Sequence, residues 1–152
     1  MELDPLDSRA HLARAWALCL SGGHGLASVA FELARSCNAN DPWAVLSSAL
    51  GAAYCGDQPL AERLAQRVLQ EGWTTQRFQW GFHAPIRFLG GDYAGCADAA
   101  EAGGDAILNL PGWQAAALWH LGDHEAACSA WQRFENVARM NWASDELSLI
   151  HI

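Results

Sequence analysis

Four short stretches decide how this chain folds: Leu20-Ser21-Gly22-Gly23-His24, Cys55-Gly56-Asp57-Gln58, Gly90-Gly91-Asp92-Tyr93 and Leu121-Gly122-Asp123-His124. Counted between Gly22, Gly56, Gly91 and Gly122, the steps are 34, 35 and 31 residues. A turn signal recurring at such a period marks a stack of like supersecondary units. Each turn reads as a stop followed by a start. A Gly just past a helix end takes the left-handed conformation that closes it. Asp57, Asp92 and Asp123 follow directly, where a carboxylate caps the next helix. Five residues after the glycines come Ala27, Ala61, Cys96 and Ala127, and four residues further Phe31, Ala65, Ala100 and Trp131. The small residue lets two helices approach closely, and the second set lies on the same face.

Working outward, Asp41-Pro42 is an N-cap followed by proline at the first helical position. Asp7-Ser8 offers a cap for the first helix and Thr74-Thr75 one for the fifth. The chain is therefore predicted to hold eight helices, near 8–21, 25–37, 42–55, 58–71, 76–89, 93–104, 110–121 and 124–140. No segment alternates with the period of a strand. Pro85 falls inside the fifth helix, where it is expected to kink the helix or shorten its ladder. The fourth unit arrives three residues early, across Ala102-Gly103-Gly104-Asp105.

On these residues the chain resembles the tetratricopeptide repeat family, whose unit is a helix–turn–helix of about 34 residues. The match is carried by Ala15, Gly22, Ala27, Phe31 and Ala34, then by Ala49, Gly56, Ala61 and Val68. Trp80, Ala84, Gly91, Tyr93 and Cys96 carry it in the third unit, and Ala115, Gly122, Ala127 and Trp131 in the fourth. The proline that usually closes a unit is replaced by Ala39 and is missing elsewhere. The resemblance implies an all-α fold, a right-handed superhelical stack of about four antiparallel helix hairpins. Its units would be 8–41, 42–76, 77–107 and 108–141, after a lead-in at 1–7 and before a capping helix or tail at 142–152. Leu147, Leu149 and Ile150 would cover the open end, or dock on another copy. Leu3-Asp4-Pro5-Leu6-Asp7-Ser8-Arg9-Ala10-His11-Leu12 and Asn109-Leu110-Pro111-Gly112-Trp113 also resemble C-terminal repeat regions of bacterial signalling proteins. There the repeats follow a winged-helix transcription domain or a nucleotide-cyclase domain.

In such a stack the first helix of each pair lines a concave face. The resemblance places there Arg9, Leu12, Trp16, Cys19 and Leu20, then Trp43, Leu46, Ser47, Leu50 and Tyr54. Phe78, Phe82 and Phe88 follow from the third unit, and Trp113, Trp119 and His120 from the fourth. That surface is aromatic and weakly charged. Relatives that clamp the terminal carboxylate of a chaperone use Lys, Asn and Arg at these positions; Leu12 and Trp16 stand there here, so that activity is not expected. An apolar groove suits an amphipathic helix or extended apolar peptide read by spaced anchors. Eight Trp stand at 16, 43, 73, 80, 113, 119, 131 and 142. Most are expected to fill gaps between helices; Trp16 and Trp43 are the groove candidates, while Trp80 and Trp131 fall at packing positions and read as core.

Composition narrows the function classes. The 152 residues suffice for one domain with a sizeable core, and 51% are hydrophobic. The formal net charge of −8 argues against direct nucleic-acid binding and against docking on an anionic membrane. No signal peptide is visible and no run of about 18 apolar residues occurs, so a cytoplasmic protein is expected. Cys19, Cys37, Cys55, Cys96 and Cys128 are odd in number and lack a CxxC, which disfavours a disulfide framework or zinc site. They read as small buried thiols. His120 and His124 have the i,i+4 spacing of a metal site, but Gly122-Asp123 interrupts them. No phosphate loop and no nucleophile motif occurs. The expectation is a non-catalytic protein–protein interaction scaffold without cofactor, binding a protein or peptide partner. The alternatives are a homo-oligomeric structural module and a small-molecule sensor.

Overall fold

The computed structural model describes residues 7–142. Among them are eight α-helices and no strand: α1 (Ser8–Leu20), α2 (His24–Cys37), α3 (Pro42–Tyr54), α4 (Gln58–Gln70), α5 (Trp80–Leu89), α6 (Tyr93–Gly103), α7 (Leu110–His120) and α8 (His124–Trp142). Short 3-10 turns at Arg77–Gln79 and Gly104–Ala106 precede α5 and follow α6. All eight predicted helices are present.

The turns form for the reasons their sequence suggests. Gly22, Gly56, Gly91 and Gly122 have φ of 83, 87, 80 and 85°. The amide after each glycine donates to a carbonyl five residues back: Gly23 to Leu18, Asp57 to Ala52, Asp92 to Arg87 and Asp123 to Leu118. That six-to-one bond, with the glycine amide bonded inside it, closes a helix whose last carbonyls would otherwise lack donors. The next helix begins at once. The Asp57 carboxylate accepts from the Leu60 amide, Asp92 from Gly95 and Asp123 from Ala126. Asp7 caps α1 through the amides of Arg9 and Ala10, and Asp41 caps α3 through that of Trp43. One residue thus completes one helix with its backbone and opens another with its side chain.

The cap of α5 differs from the expectation at Thr74-Thr75. The buried Gln79 side chain accepts from the Thr75 and Gln76 amides and donates to the Trp73 carbonyl. It thereby gathers the whole connection after α4, a role that one polar residue in an aromatic run does not advertise. Pro85 sits at the sixth position of α5, which spans 10 residues against 13 in α1 and α3.

Consecutive helices pack on one another, and α1, α3, α5 and α7 also pack in series, α1 on α3, α3 on α5 and α5 on α7. Three core clusters follow this order. Leu12, Ala15, Ala27, Phe31 and Ala34 join α1 and α2 to α3. Val45, Leu46, Ala49, Leu64, Val68 and Ile86 join α3, α4 and α5. Ala84, Cys96, Ala99, Leu110 and Ala117 join α5, α6 and α7. The small residues after each turn, Ala27, Ala61, Cys96 and Ala127, are all buried. The central helix α3 is apolar nearly all round, as a helix enclosed by neighbours should be; Ala44 through Ala49 are buried without a break. No described helix is long and apolar enough to cross a membrane.

Candidate partner-binding surface

The predicted groove residues divide by exposure. Leu12 is 4% exposed, Leu46 0% and Ser47 3%. Leu46 is corrected to core, on the side of α3 that faces α4 and α5, while Leu12 and Ser47 are buried and only floor the groove between α1 and α3. Family register fixes which face a helix offers only where each helix has one buried side, and α3 is enclosed on several. Leu50 is partly buried against the same cluster as Leu46. Cys19 is buried as well, whereas Leu20 is exposed.

Most of the remaining aromatic candidates are accessible and touch across successive odd helices. The Trp16 ring on α1 meets Tyr54 at the end of α3 edge-on at 6.1 Å. Its other ring partner is the buried Phe31, and its indole N–H donates to the Ser47 hydroxyl at 2.7 Å. Ser47 is thus an internal anchor for Trp16. Trp43, 47% exposed, meets Phe78 at 5.8 Å and Phe82 at 5.3 Å, linking α3 to α5. Phe88 meets Trp113 at 5.3 Å and His120 at 5.6 Å, linking α5 to α7, and His120 stacks on Tyr93 at 4.3 Å. Trp119, also exposed, stands apart from this group beside His124.

Between α1 and α3 lies a cleft of about 480 Å³ lined by Arg9, Leu12, Ala13, Trp16, Trp43 and Ser47. Six of the predicted residues therefore have a common boundary there or on its edges: Arg9, Trp16 and Trp43 supply accessible surface, Leu12 and Ser47 its floor, and Tyr54 touches Trp16. The charges are partitioned. Along α1, α3, α5 and α7 there is no Asp or Glu, while Arg9, Arg14 and Arg87 are present. The acids of those helices are confined to the caps Asp7 and Asp41, whose carboxylates bind backbone amides. Glu32, Glu62, Asp98, Glu101, Glu125 and Glu135 all lie on the even-numbered helices. Among the described residues, every acid inside an α-helix thus lies on an even-numbered one, while Arg87 of α5 lies 3.8 Å from the Asp92 carboxylate that caps α6.

Trp131 corrects another expectation. It is 49% exposed, rests on Phe134 at 5.0 Å and donates to Glu135. With Gly112, Ala115, Ala116, Trp119, Ala127 and Cys128 it borders an apolar cleft of about 530 Å³ between α7 and α8. No following hairpin covers it among the described residues, and the predicted cover at Leu147, Leu149 and Ile150 lies outside them. Trp80 is partly buried against the α5–α7 cluster.

His83 is a feature the sequence did not single out. It is 1% exposed, lies 3.3 Å from the Thr74 hydroxyl, and its ring contacts Trp80. Burial, with Arg87 nearby, lowers its pKa to about 4, so it is a neutral core group at pH 7. Burial likewise pushes the Cys96 thiol up to about 12. Among the described residues no group of three or more His, Cys, Asp or Glu could hold a metal ion. No family model, curated protein or solved structure matches the chain.

Proposed function

We propose that this chain is a tetratricopeptide-like, non-catalytic scaffold whose odd-numbered helices present an aromatic groove to an amphipathic peptide or helix with acidic flanks. The supporting observation is the layer α1–α3–α5–α7, which holds Trp16, Tyr54, Trp43, Phe82 and Trp113 and carries no acid along its helices. Large rings at low conformational cost make good anchors for a partner. The Arg9 guanidinium at the α1–α3 cleft complements a carboxylate beside the anchor residue. Alternation of odd and even helices in contact, with Schellman turns at 34- to 35-residue steps in the first three units, supports the repeat reading.

The test is titration of the full chain with a synthetic amphipathic peptide bearing two Trp or Leu anchors and Glu flanks, and with its Lys-flanked counterpart. The Glu form should bind at least five-fold tighter at low salt, with the difference shrinking as salt screens it. Equal affinity for both forms sinks the charge argument. Equal binding by wild type and Trp43→Ala sinks the groove itself.

A second reading has its own observation, the uncovered cleft bordered by Trp119 and Trp131 at the α7–α8 end. Exposed apolar patches mark interfaces, and a second copy of the chain would bury this one. Light scattering over a wide concentration range reads it directly: a dimer that Trp131→Ala dissociates supports self-association, and a monomer throughout rejects it.

A further inference from the structure

Cys19 and Cys55, 36 residues apart in sequence, bring their sulfurs to 3.7 Å. Cys19 is the last residue but one of α1, and Cys55 is the C-cap of α3. The contact follows from α1 packing on α3 where both helices stop at their glycine turns. Cys19 is 5% exposed, while Cys55 is partly exposed. Neither Cys19 nor Cys55 is held in a disulfide.

We propose that Cys19 and Cys55 form a reversible dithiol site, which a low-molecular-weight disulfide such as oxidised glutathione converts to an intramolecular disulfide joining α1 to α3. Closing the sulfurs from van der Waals contact to a bond of about 2.05 Å takes a shift of under about 1 Å from each. The order of events follows from exposure. Cys55, the accessible thiol, gives its proton to solvent, and its thiolate attacks one sulfur of the glutathione disulfide. The glutathione S–S bond breaks, a Cys55–glutathione mixed disulfide forms, and the first glutathione leaves as a thiolate that takes up a proton. Cys19 then loses its proton and attacks the Cys55 sulfur, displacing the second glutathione. Two protein thiols are oxidised and one glutathione disulfide is reduced to two thiols, so electrons and protons balance. Burial and the thiol of Cys55 raise the pKa of Cys19 to about 11, consistent with Cys55 reacting first.

The cross-link closes a loop that contains α2 and α3, and it restrains the unfolded chain far more than the folded one. It also fixes Trp16 against Tyr54, the residue before Cys55. The proposal is independent of what the aromatic layer binds.

The test uses the reduced full chain, equilibrated with oxidised and reduced glutathione, quenched by acid and alkylated before peptide mapping. The expected product is a Cys19–Cys55 linked peptide. Its formation should raise Tm by on the order of 10 °C, and dithiothreitol should reverse the shift. Cys55→Ser, at a partly exposed position, should abolish both effects, and Cys128→Ser neither. Recovery of Cys55 as a stable glutathione adduct, its linkage to a different cysteine, or both thiols remaining free at an oxidising poise overturns the proposal. The wild-type peptide map decides this whether or not a variant folds well.

Discussion

At the residue scale, the position of a side chain on its helix decides whether a substitution is felt as lost affinity or lost stability. Leu46 is fully buried among α3, α4 and α5. Leu46→Ala should therefore cost about 2–5 kcal/mol of stability through the cavity it leaves, read by urea unfolding. Retained stability with lost peptide binding would return Leu46 to the groove. His83 gives the fold a pH dependence of definite sign. Its ordinary pKa of 6.5 applies to the unfolded chain, and burial lowers the folded value to about 4. Between those values the unfolded chain binds the extra proton, so stability rises with pH. The contribution is complete above 6.5 and is lost as pH falls through the window to about 4. The full amplitude is on the order of 3 kcal/mol. Urea midpoints at pH 7 and pH 4.5 should differ less in His83→Gln than in wild type.

At the element scale, the repeated turn and the close helix contacts carry the specification. Asp57 bonds the Leu60 amide while its own amide closes α3 on Ala52. Asp57→Ala removes only the side-chain half of that arrangement and should cost about 1 kcal/mol, a small fall in Tm by circular dichroism. Gly51 shows the opposite sensitivity. A Cβ there would overlap ring atoms Cε2 and Cζ of Phe31. Phe31 is buried and also contacts Trp16, so it has little room to yield. Gly51→Ala should destabilise by about 1–3 kcal/mol, against the small gain that Gly→Ala brings in an open helix. An unchanged or higher Tm would show that α2 and α3 separate easily.

For the whole molecule, the aromatic layer places two tryptophans in different roles. Trp16 is held by Phe31 and by its bond to the buried Ser47, so Trp16→Ala loses core contact as well as surface. Trp43 is half exposed and rests on Phe78 and Phe82. Trp43→Ala should weaken binding of the Glu-flanked peptide about ten-fold, in the range of an interface anchor, with helicity and Tm nearly unchanged. A large fall in Tm would make Trp43 a packing residue. The double change Trp16→Ala plus Trp43→Ala mixes both effects, and the single change at Trp43 separates them.

Local chemistry made the secondary structure legible. Gly22, Gly56, Gly91 and Gly122 are the residues that most easily adopt positive φ, and Asp57, Asp92 and Asp123 can cap from where they stand. The sequence alone thus determined the all-helical class, the eight helices and the buried small residues after each turn. Which face of a helix is accessible depends on how many neighbours enclose it, and no local signal carries that number. Tertiary structure therefore decided that Leu12, Leu46 and Ser47 are buried and that Trp131 is exposed. It also decided the burial of His83, the linker-gathering role of Gln79 and the meeting of Cys19 with Cys55. The burial of Leu46 and the meeting of Cys19 with Cys55 arise from contact between helices distant in sequence, Trp131 is exposed because no described helix packs over it, and Gln79 works through local bonds that its residue type does not signal.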